Sequence, residues 1–482
     1  MSRKQGSEPR NESGLLVGSK IGTAIRMENE YRDKKVTDCS IDKKNDCKAW
    51  VIAAMMGLGH WRAAYALRSM AQFSVIIDAS TEFASADEIR FWRFLRRVYY
   101  SLSHKMESAM TRFLFSGVFN RIMEIRPPGE CIEKGCPTWG QRLLFLLIVD
   151  GGFGKKLVQH LSYLHRPMVH TFYATAMAQD YLRLNQSANF LMVCDSDINR
   201  IWVPLDPSAS RIRYWVPCPK AADRLIAYGI QPEQIVYTGF PLPMEVIGSP
   251  DRMEILKHDL SKRLMRLNRK SELIHRPGVK ILLKPYHLSS QEGSRVTLMV
   301  SIGGAGAQSR LVVGILEALR CDIIKRSIRV ILSVGINPGV YRYFIRYLSR
   351  SGLSRYLGQE LVLCYHPQPE EYFREFNQWL RETDLLWTKP SELSFYCGLG
   401  IPILIAPWIG PHEQSNRDWL IDRRSGVDAP TDPKRFRNWL VEMLEEGRMA
   451  DYAWNGFVRC RKLGSYRIAK IVEEEGWGGI EG

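Results

Sequence analysis

The segment Gly303-Gly304-Ala305-Gly306-Ala-Gln308 follows an apolar run, Val296 to Ile302, and precedes a helical pattern from Ser309 to Leu319. A strand that opens through small residues onto a helix presents free backbone N–H groups, and the helix dipole adds partial positive charge. Such a turn favours an anion, above all a phosphate. It is not a P-loop, because no Gly-Lys-Ser/Thr follows. Nor is it the dinucleotide fingerprint, because Ser309 stands where a pattern beginning at Gly304 needs its last glycine. A second polar segment, Thr388-Lys389-Pro390-Ser391-Glu392, puts a cation and a hydroxyl after another strand, at the start of a helix expected from about Ser391. Pro390 suits a first helical turn. A third, Gly410-Pro-His412-Glu413-Gln414-Ser-Asn416, reads as a polar loop after the strand Pro402 to Ala406. In open α/β sheets ligands bind at the carboxyl ends of strands. Three such segments point to one large polar ligand with phosphate and several hydroxyls.

The first half has its own candidates. The turn Gly57-Leu-Gly59-His60 follows the strand-like run Ala49 to Met55. A histidine there, with an ordinary pKa near 6.5, is suited to accept a proton. Asp78 follows the next strand, and Asp195 and Asp197 follow the strand Phe190 to Cys194. These are the acidic candidates for the same edge. His170 lies within a strand and reads as core. Cys131 and Cys136 have no second Cys or His pair beside them, so a zinc site is not expected. The thiols read as free, in a reducing cytoplasm.

These residues need an α/β scaffold. Strand, glycine turn, helix and strand from Ala49 to Asp78 form a βαβ unit, which implies a parallel sheet covered by helices. Further strands are read at 168–172, 190–194, 213–216 and 234–238, with a helix over 219–229. An amphipathic helix spans about 251–270, with Met253, Leu256, Leu260, Leu264 and Leu267 on one stripe and a basic opposite face. Residues 270–293 read as irregular, and a second α/β series starts at Val296. The expected organisation is a polar leader over 1–46, a first Rossmann-like domain over 47–250 and a linker over 251–294. A second Rossmann-like domain over 295–448 and a closing helix over 449–482 complete it.

Of 482 residues, 45% are apolar and 24% charged, which excludes a largely disordered or fibrous chain. The formal net charge of +16 favours an anionic partner. Apolar runs are too short for the ~20 residues of a spanning helix, and residues 1–14 lack the apolar core of a secretory signal. No transmembrane segment and no signal peptide are expected. Residues 90–126 interleave cations with large aromatics, and such a surface suits an anionic membrane interface. No nucleic-acid-reading module is present.

Taken in order, Gly57-Leu-Gly-His60, Thr238-Gly-Phe-Pro-Leu-Pro243, Gly303-Gly-Ala-Gly306, Thr388-Lys-Pro390 with Gly400-Ile-Pro402, and Glu413-Gln-Ser-Asn416 resemble the motifs of GT-B glycosyltransferases. The resemblance covers about residues 48–470. It is strongest to monogalactosyldiacylglycerol synthases, processive diacylglycerol glucosyltransferases and the N-acetylglucosaminyltransferase of lipid-linked peptidoglycan assembly. It implies two Rossmann-like domains facing a cleft, the first binding acceptor and the second a nucleotide sugar, usually UDP-linked. It implies donor contacts from Gly303, Gly304, Ala305, Gly306, Gln308, Lys389, Pro390, Ser391, Glu392, His412, Glu413, Gln414 and Asn416. Gly57 and Gly59 form the acceptor-side loop, and His60 stands at the cleft as base or charge stabiliser, with Asp78 and Asp195 as alternatives. The family's ribose-binding carboxylate has only Glu392 as a counterpart. The implied activity is metal- and cofactor-independent hexosyl transfer to a lipid or amphipathic acceptor at the cytoplasmic membrane face. UDP-N-acetylglucosamine 2-epimerases share the two-domain fold and use clustered carboxylates and histidine in the cleft, so they are the alternative enzyme class. A non-catalytic sugar-nucleotide-binding subunit of a membrane complex is the alternative outside catalysis.

Overall fold

The computed structural model describes residues 48–478, except 55–56, 73–74, 78–83, 106–124, 126–136, 163–164, 185–186, 269–271, 287–294, 304–305, 307 and 409. The leader, Asp78, Gly304, Ala305, Cys131, Cys136 and most of the second half of 90–126 therefore lie outside the described residues.

Two six-stranded sheets form, every pairing parallel. The first comprises β1 (Trp50–Ala53), β2 (Ile76–Ile77), β3 (Met168–His170), β4 (Asn189–Met192), β5 (Arg213–Val216) and β6 (Ile235–Tyr237), in the order β2-β1-β3-β4-β5-β6. The second comprises β7 (Val296–Ser301), β8 (Ile328–Gly335), β9 (Leu361–Tyr365), β10 (Leu385–Thr388), β11 (Ile403–Ile405) and β12 (Gly426–Asp428), in the order β12-β11-β10-β7-β8-β9. Strands buried on both faces read as continuous apolar runs, and β1, β4, β7 and β10 are buried at every residue.

Strand order reverses between β1 and β3 in the first sheet and between β7 and β10 in the second. In doubly wound sheets the crevice for a ligand opens at such a switch point. Here the switch-point strands are in register, Ile52 beside His170 and Trp387 beside Val300. Their carboxyl ends carry the turns at Gly57–His60, Thr171, Gly303–Gly306 and Lys389. The two sheets present these ends to each other, which is the GT-B arrangement.

The halves are joined by more than a linker. The helix Glu254–Leu267 buries Leu256, Leu260, Leu264 and Leu267 as its pattern predicts. The segment after it is not irregular throughout: Pro277 starts a helix, Pro277–Leu283, from the position where a missing N–H costs nothing. The closing region is two helices, Arg448–Arg459 and Gly464–Gly478. The second begins against the first half, with Ser465 Oγ donating to Leu242 O at 2.6 Å and Arg467 Nη1 donating to Thr238 O at 3.0 Å. Phe240 stacks on Phe395 at 5.1 Å, so one continuous core spans both halves.

The aromatic stretch divides. Within the helix Ala86–Lys105, Trp92 is buried and its ring centroid lies 5.3 Å from that of Phe153 and 5.9 Å from that of Phe172. Phe94 on the same helix is 61% exposed. Among the described residues no helix is long and apolar enough to cross a membrane.

Candidate functional site

His60 occupies the first turn of the helix Gly59–Ala66, immediately after β1. Its ring meets Phe172 edge-on at 5.0 Å and lies 6.1 Å from Trp202. Nδ1 is shut off from solvent and has no hydrogen-bond partner among the described residues. Burial lowers the imidazole pKa below its usual 6.5, and nearby His412 adds to that. The Asp195 carboxylate, the Thr171 backbone and Glu392 act in the opposite direction without overcoming burial. His60 is thus neutral at pH 7 and able to take up a proton. The residues that bias it come from the ends of β3 and β4 and from two segments of the second half.

Asp195 and Asp197 separate. Asp195 Oδ1 accepts from Asn416 Nδ2 at 2.7 Å, so it lies in the cleft. Asp197 turns the other way and takes two hydrogen bonds from buried Arg224, at 2.8 and 3.0 Å. It braces the helix Pro219–Ala227 and is not a cleft residue, contrary to the expectation that both acids share the edge. His170 is fully buried, with Nδ1 2.9 Å from Thr175 Oγ1 and Nε2 2.9 Å from Gln179 Oε1.

In the second half the glycine turn leaves Gly303 exposed, with open space where a side chain would begin. Gly306 has φ +69°, and a Cβ there would meet Val340 Cγ2 at 2.5 Å, so only glycine fits. Gln308 ties this turn to the end of β11: its Nε2 donates to Pro407 O at 2.8 Å, while its Oε1 is buried without a partner among the described residues. Lys389 Nζ lies 3.7 Å from Glu413 Oε1, with both side chains largely buried. His412 Nδ1 is also shielded and has no partner among the described residues. Gln414 is exposed, and Ser391 Oγ reaches only its neighbour's Lys389 O at 3.5 Å.

One expectation of local structure is corrected and another is specified. Residues 411–416 are not a loop but the first turns of the helix Pro411–Asp422, with Pro411 at its start. Its free N–H groups, not only its side chains, therefore face the cleft end of β11. The helix expected from about Ser391 is present as a 3-10 helix, Glu392–Leu399. The tighter winding brings all eight of its residues into the core and turns Glu392 toward the first half.

Glu392 is the largest departure from expectation. Its Oε1 accepts from Arg62 Nε at 3.1 Å, and both side chains are almost wholly buried. A Cβ on Gly59 would sit 2.8 Å from Glu392 Oε2, so glycine at 59 is what lets the carboxylate approach. Arg62 also lies over the rings of Phe376 at 4.2 Å and Phe373 at 5.1 Å. Burial pulls the guanidinium pKa down, but Tyr372, Tyr396 and Glu392 raise it by more, so it stays charged. Glu392 thus ties the two halves together through Oε1. Asn416 does the same nearby: its Oδ1 accepts from Ser196 N at 2.7 Å while its Nδ2 reaches Asp195 and, at 3.2 Å, Pro390 O.

The sequence reading passed over Arg62. Its signal was present: one arginine among Ala63, Ala64, Tyr65 and Ala66, a cation on a helix otherwise built for burial. Thr171, Phe172 and Trp202 carried no such signal, because only the fold brings them to His60. Among the described residues, no group of three or more His, Cys, Asp or Glu side chains is placed to hold a metal ion.

A family profile described as "Domain of unknown function (DUF6938)" matches residues 288–470. No curated protein matches the chain. Among solved structures the chain is similar to a UDP-GlcNAc 2-epimerase from Neisseria meningitidis bound to UDP-GlcNAc. Identity is 12%, with 89% of this chain and 100% of that one covered and a TM-score of 0.43. It is similar to MurG of Acinetobacter baumannii at 10% identity, over 89% of this chain and 99% of that one, with a TM-score of 0.43. It is also similar to a glycosyltransferase from Rickettsia africae at 9% identity, over 89% and 98% of the two chains, with a TM-score of 0.38.

Proposed function

We propose that the chain is a glycosyltransferase that moves a hexosyl group from a nucleotide sugar, UDP-linked, to a hydroxyl of an amphipathic acceptor. The observation that carries this reading is the meeting of two switch-point crevices. One supplies a neutral histidine and an acid, His60 and Asp195. The other supplies an open glycine turn, a lysine and a helix N-terminus. Breaking the bond between sugar and diphosphate needs charge stabilised on the leaving phosphates. The N–H group at Gly303, the start of the helix Ser309–Ala318 and Lys389 are suited to that. The incoming hydroxyl needs a proton acceptor, and His60 has the right protonation state, with Asp195 oriented by Asn416 beside it.

An amphipathic acceptor is supported by the surface of the first half. On the helix Trp139–Val149, Trp139 is 68%, Leu143 40%, Leu146 51% and Val149 42% exposed. At about 100° per residue these fall on one side of the helix. Exposed Arg142 shares that side. An apolar face with tryptophan and arginine suits a membrane interface. We take this helix as a better candidate for contact with lipid than the helix Ala86–Lys105, where Trp92 is buried.

A thermal-shift panel of UDP, GDP, TDP and their sugars tests the donor. A ligand at 100 times its dissociation constant stabilises by about 2.7 kcal/mol. No shift with any of them would end this reading. One feature favours the epimerase alternative: Asp195, Glu392 and His412 all act on His60 across a single cleft. Incubation with UDP-N-acetylglucosamine separates the two, since epimerisation changes the sugar without requiring an acceptor, whereas transfer releases UDP when acceptor is added.

A further inference from the structure

A second charged cavity lies at the other end of the second sheet. It has a volume of about 730 Å³ and is lined from four elements. Lys262 and Arg266 come from the helix Glu254–Leu267, and Arg295 immediately precedes β7. Arg326 comes from the turn before β8, Arg329 from the start of β8, and Arg381 from the end of the helix Pro369–Glu382. The candidate cleft is at the carboxyl ends of these strands. The six residues of β7, at about 3.3 Å each, put the cavity on the order of 20 Å away.

The cations outnumber their partners. Arg266 pairs with Asp384, Arg381 with Asp259 and Arg329 with Glu382. Arg295 and Arg326 share a single oxygen, Glu360 Oε1, at 2.7 and 3.6 Å. Lys262 is exposed and has no acidic partner among the described residues. Six cations against four acids leave two positive charges uncompensated. Arg326 reaches the rim from a left-handed backbone, φ +60°, which a non-glycine residue adopts at a cost. Arg329 lies over the Trp379 ring at 4.9 Å, and its Nε is buried without a partner among the described residues. Guanidinium forks held in place by stacking and by shared carboxylates are suited to phosphate oxygens. A concave site of this size fits a small molecule.

We propose that this cavity binds a small soluble anion carrying at least two phosphate charges, at a site separate from the cleft. Lys262 and Arg326 are its most available ligands, and Arg295 and Arg329 complete the cradle. The site is independent of what the cleft does.

The probe is inorganic pyrophosphate, added to the full chain, with potassium chloride at matched ionic strength as reference. Hydrogen–deuterium exchange reads the location. Pyrophosphate should slow exchange over 258–266 and 326–329, and calorimetry should give a dissociation constant. Lys262→Gln with Arg326→Gln should weaken binding about tenfold or more and remove that protection. Arg342→Gln with Arg346→Gln removes the same charge from exposed positions on the helix Pro338–Ser351 and should change binding less than about twofold. Equal losses in the two variants would show general attraction to a basic protein and overturn the proposal. Protection confined to 389–416, or none beyond that of chloride, would overturn it too. Protection at 258–266 in a protein that ignores UDP would uphold this site while the reading of the cleft fails.

Discussion

Arg62 and Glu392 are 330 positions apart in the chain and form one buried ion pair, Nε to Oε1 at 3.1 Å, between the two halves. Removing one partner leaves the other charge buried and unpaired, which costs more than removing both. Arg62→Ala should lower stability by about 3–5 kcal/mol. Arg62→Ala with Glu392→Ala should lose clearly less than the sum of the two single changes. Urea denaturation of the four proteins gives the coupling. Additive losses would mean that the pair contributes nothing as a pair.

His60→Ala should leave UDP affinity nearly intact and lower turnover ~100-fold or more, the usual size of a general-base contribution. The acid limb of the wild-type rate should fall below pH 6.5, because burial lowers this imidazole's pKa. A mutant that melts earlier yet turns over normally per folded molecule would make His60 structural, leaving Asp195 as the described alternative.

Stability should depend on pH through His170. Burial holds its pKa at about 4 in the folded chain, with the bond to Gln179 opposing. In the unfolded chain it returns to about 6.5. The unfolded state therefore binds the proton first, and stability present above pH 6.5 is lost as the pH falls toward 4. The full contribution is on the order of 3 kcal/mol. Urea midpoints between pH 7 and 4 should fall steeply for the wild type and less steeply for His170→Gln.

Lys389→Ala should weaken UDP binding more than uridine binding, because its proposed partner is phosphate. Calorimetry on the full chain compares the two ligands. Equal losses would place Lys389 near the nucleoside or give it only the role of pairing with Glu413 at 3.7 Å.

Flotation with anionic vesicles should recover the chain at low salt and release part of it at high salt. Trp139→Ser with Leu146→Ser should reduce recovery more than charge reversal at Arg93 and Arg97, since apolar insertion and not charge alone holds an interfacial helix. Unchanged recovery would move the contact away from the helix Trp139–Val149.

The sequence by itself determined the α/β class, the two parallel series and most strands. Fully buried strands are continuous apolar runs bounded by turn residues, as at Trp50–Ala53 and Val296–Ser301. It also located the turns at Gly57–His60 and Gly303–Gly306, because chain reversal onto a helix demands small residues. It misjudged 411–416, where polar side chains looked like a loop although Pro411 was a helix start. Tertiary structure decided everything that depends on one half meeting the other. Nothing local distinguishes Asp195 from Asp197: strand alternation would put both on one face, but β4 ends at Met192 and the chain bends through 195–197, so one faces Asn416 and the other Arg224. Glu392 looked available for a ligand because its partner lies in the other half. Burial and pairing are properties of the assembled interface, and only that interface showed that Glu392 pairs with Arg62 across the two halves.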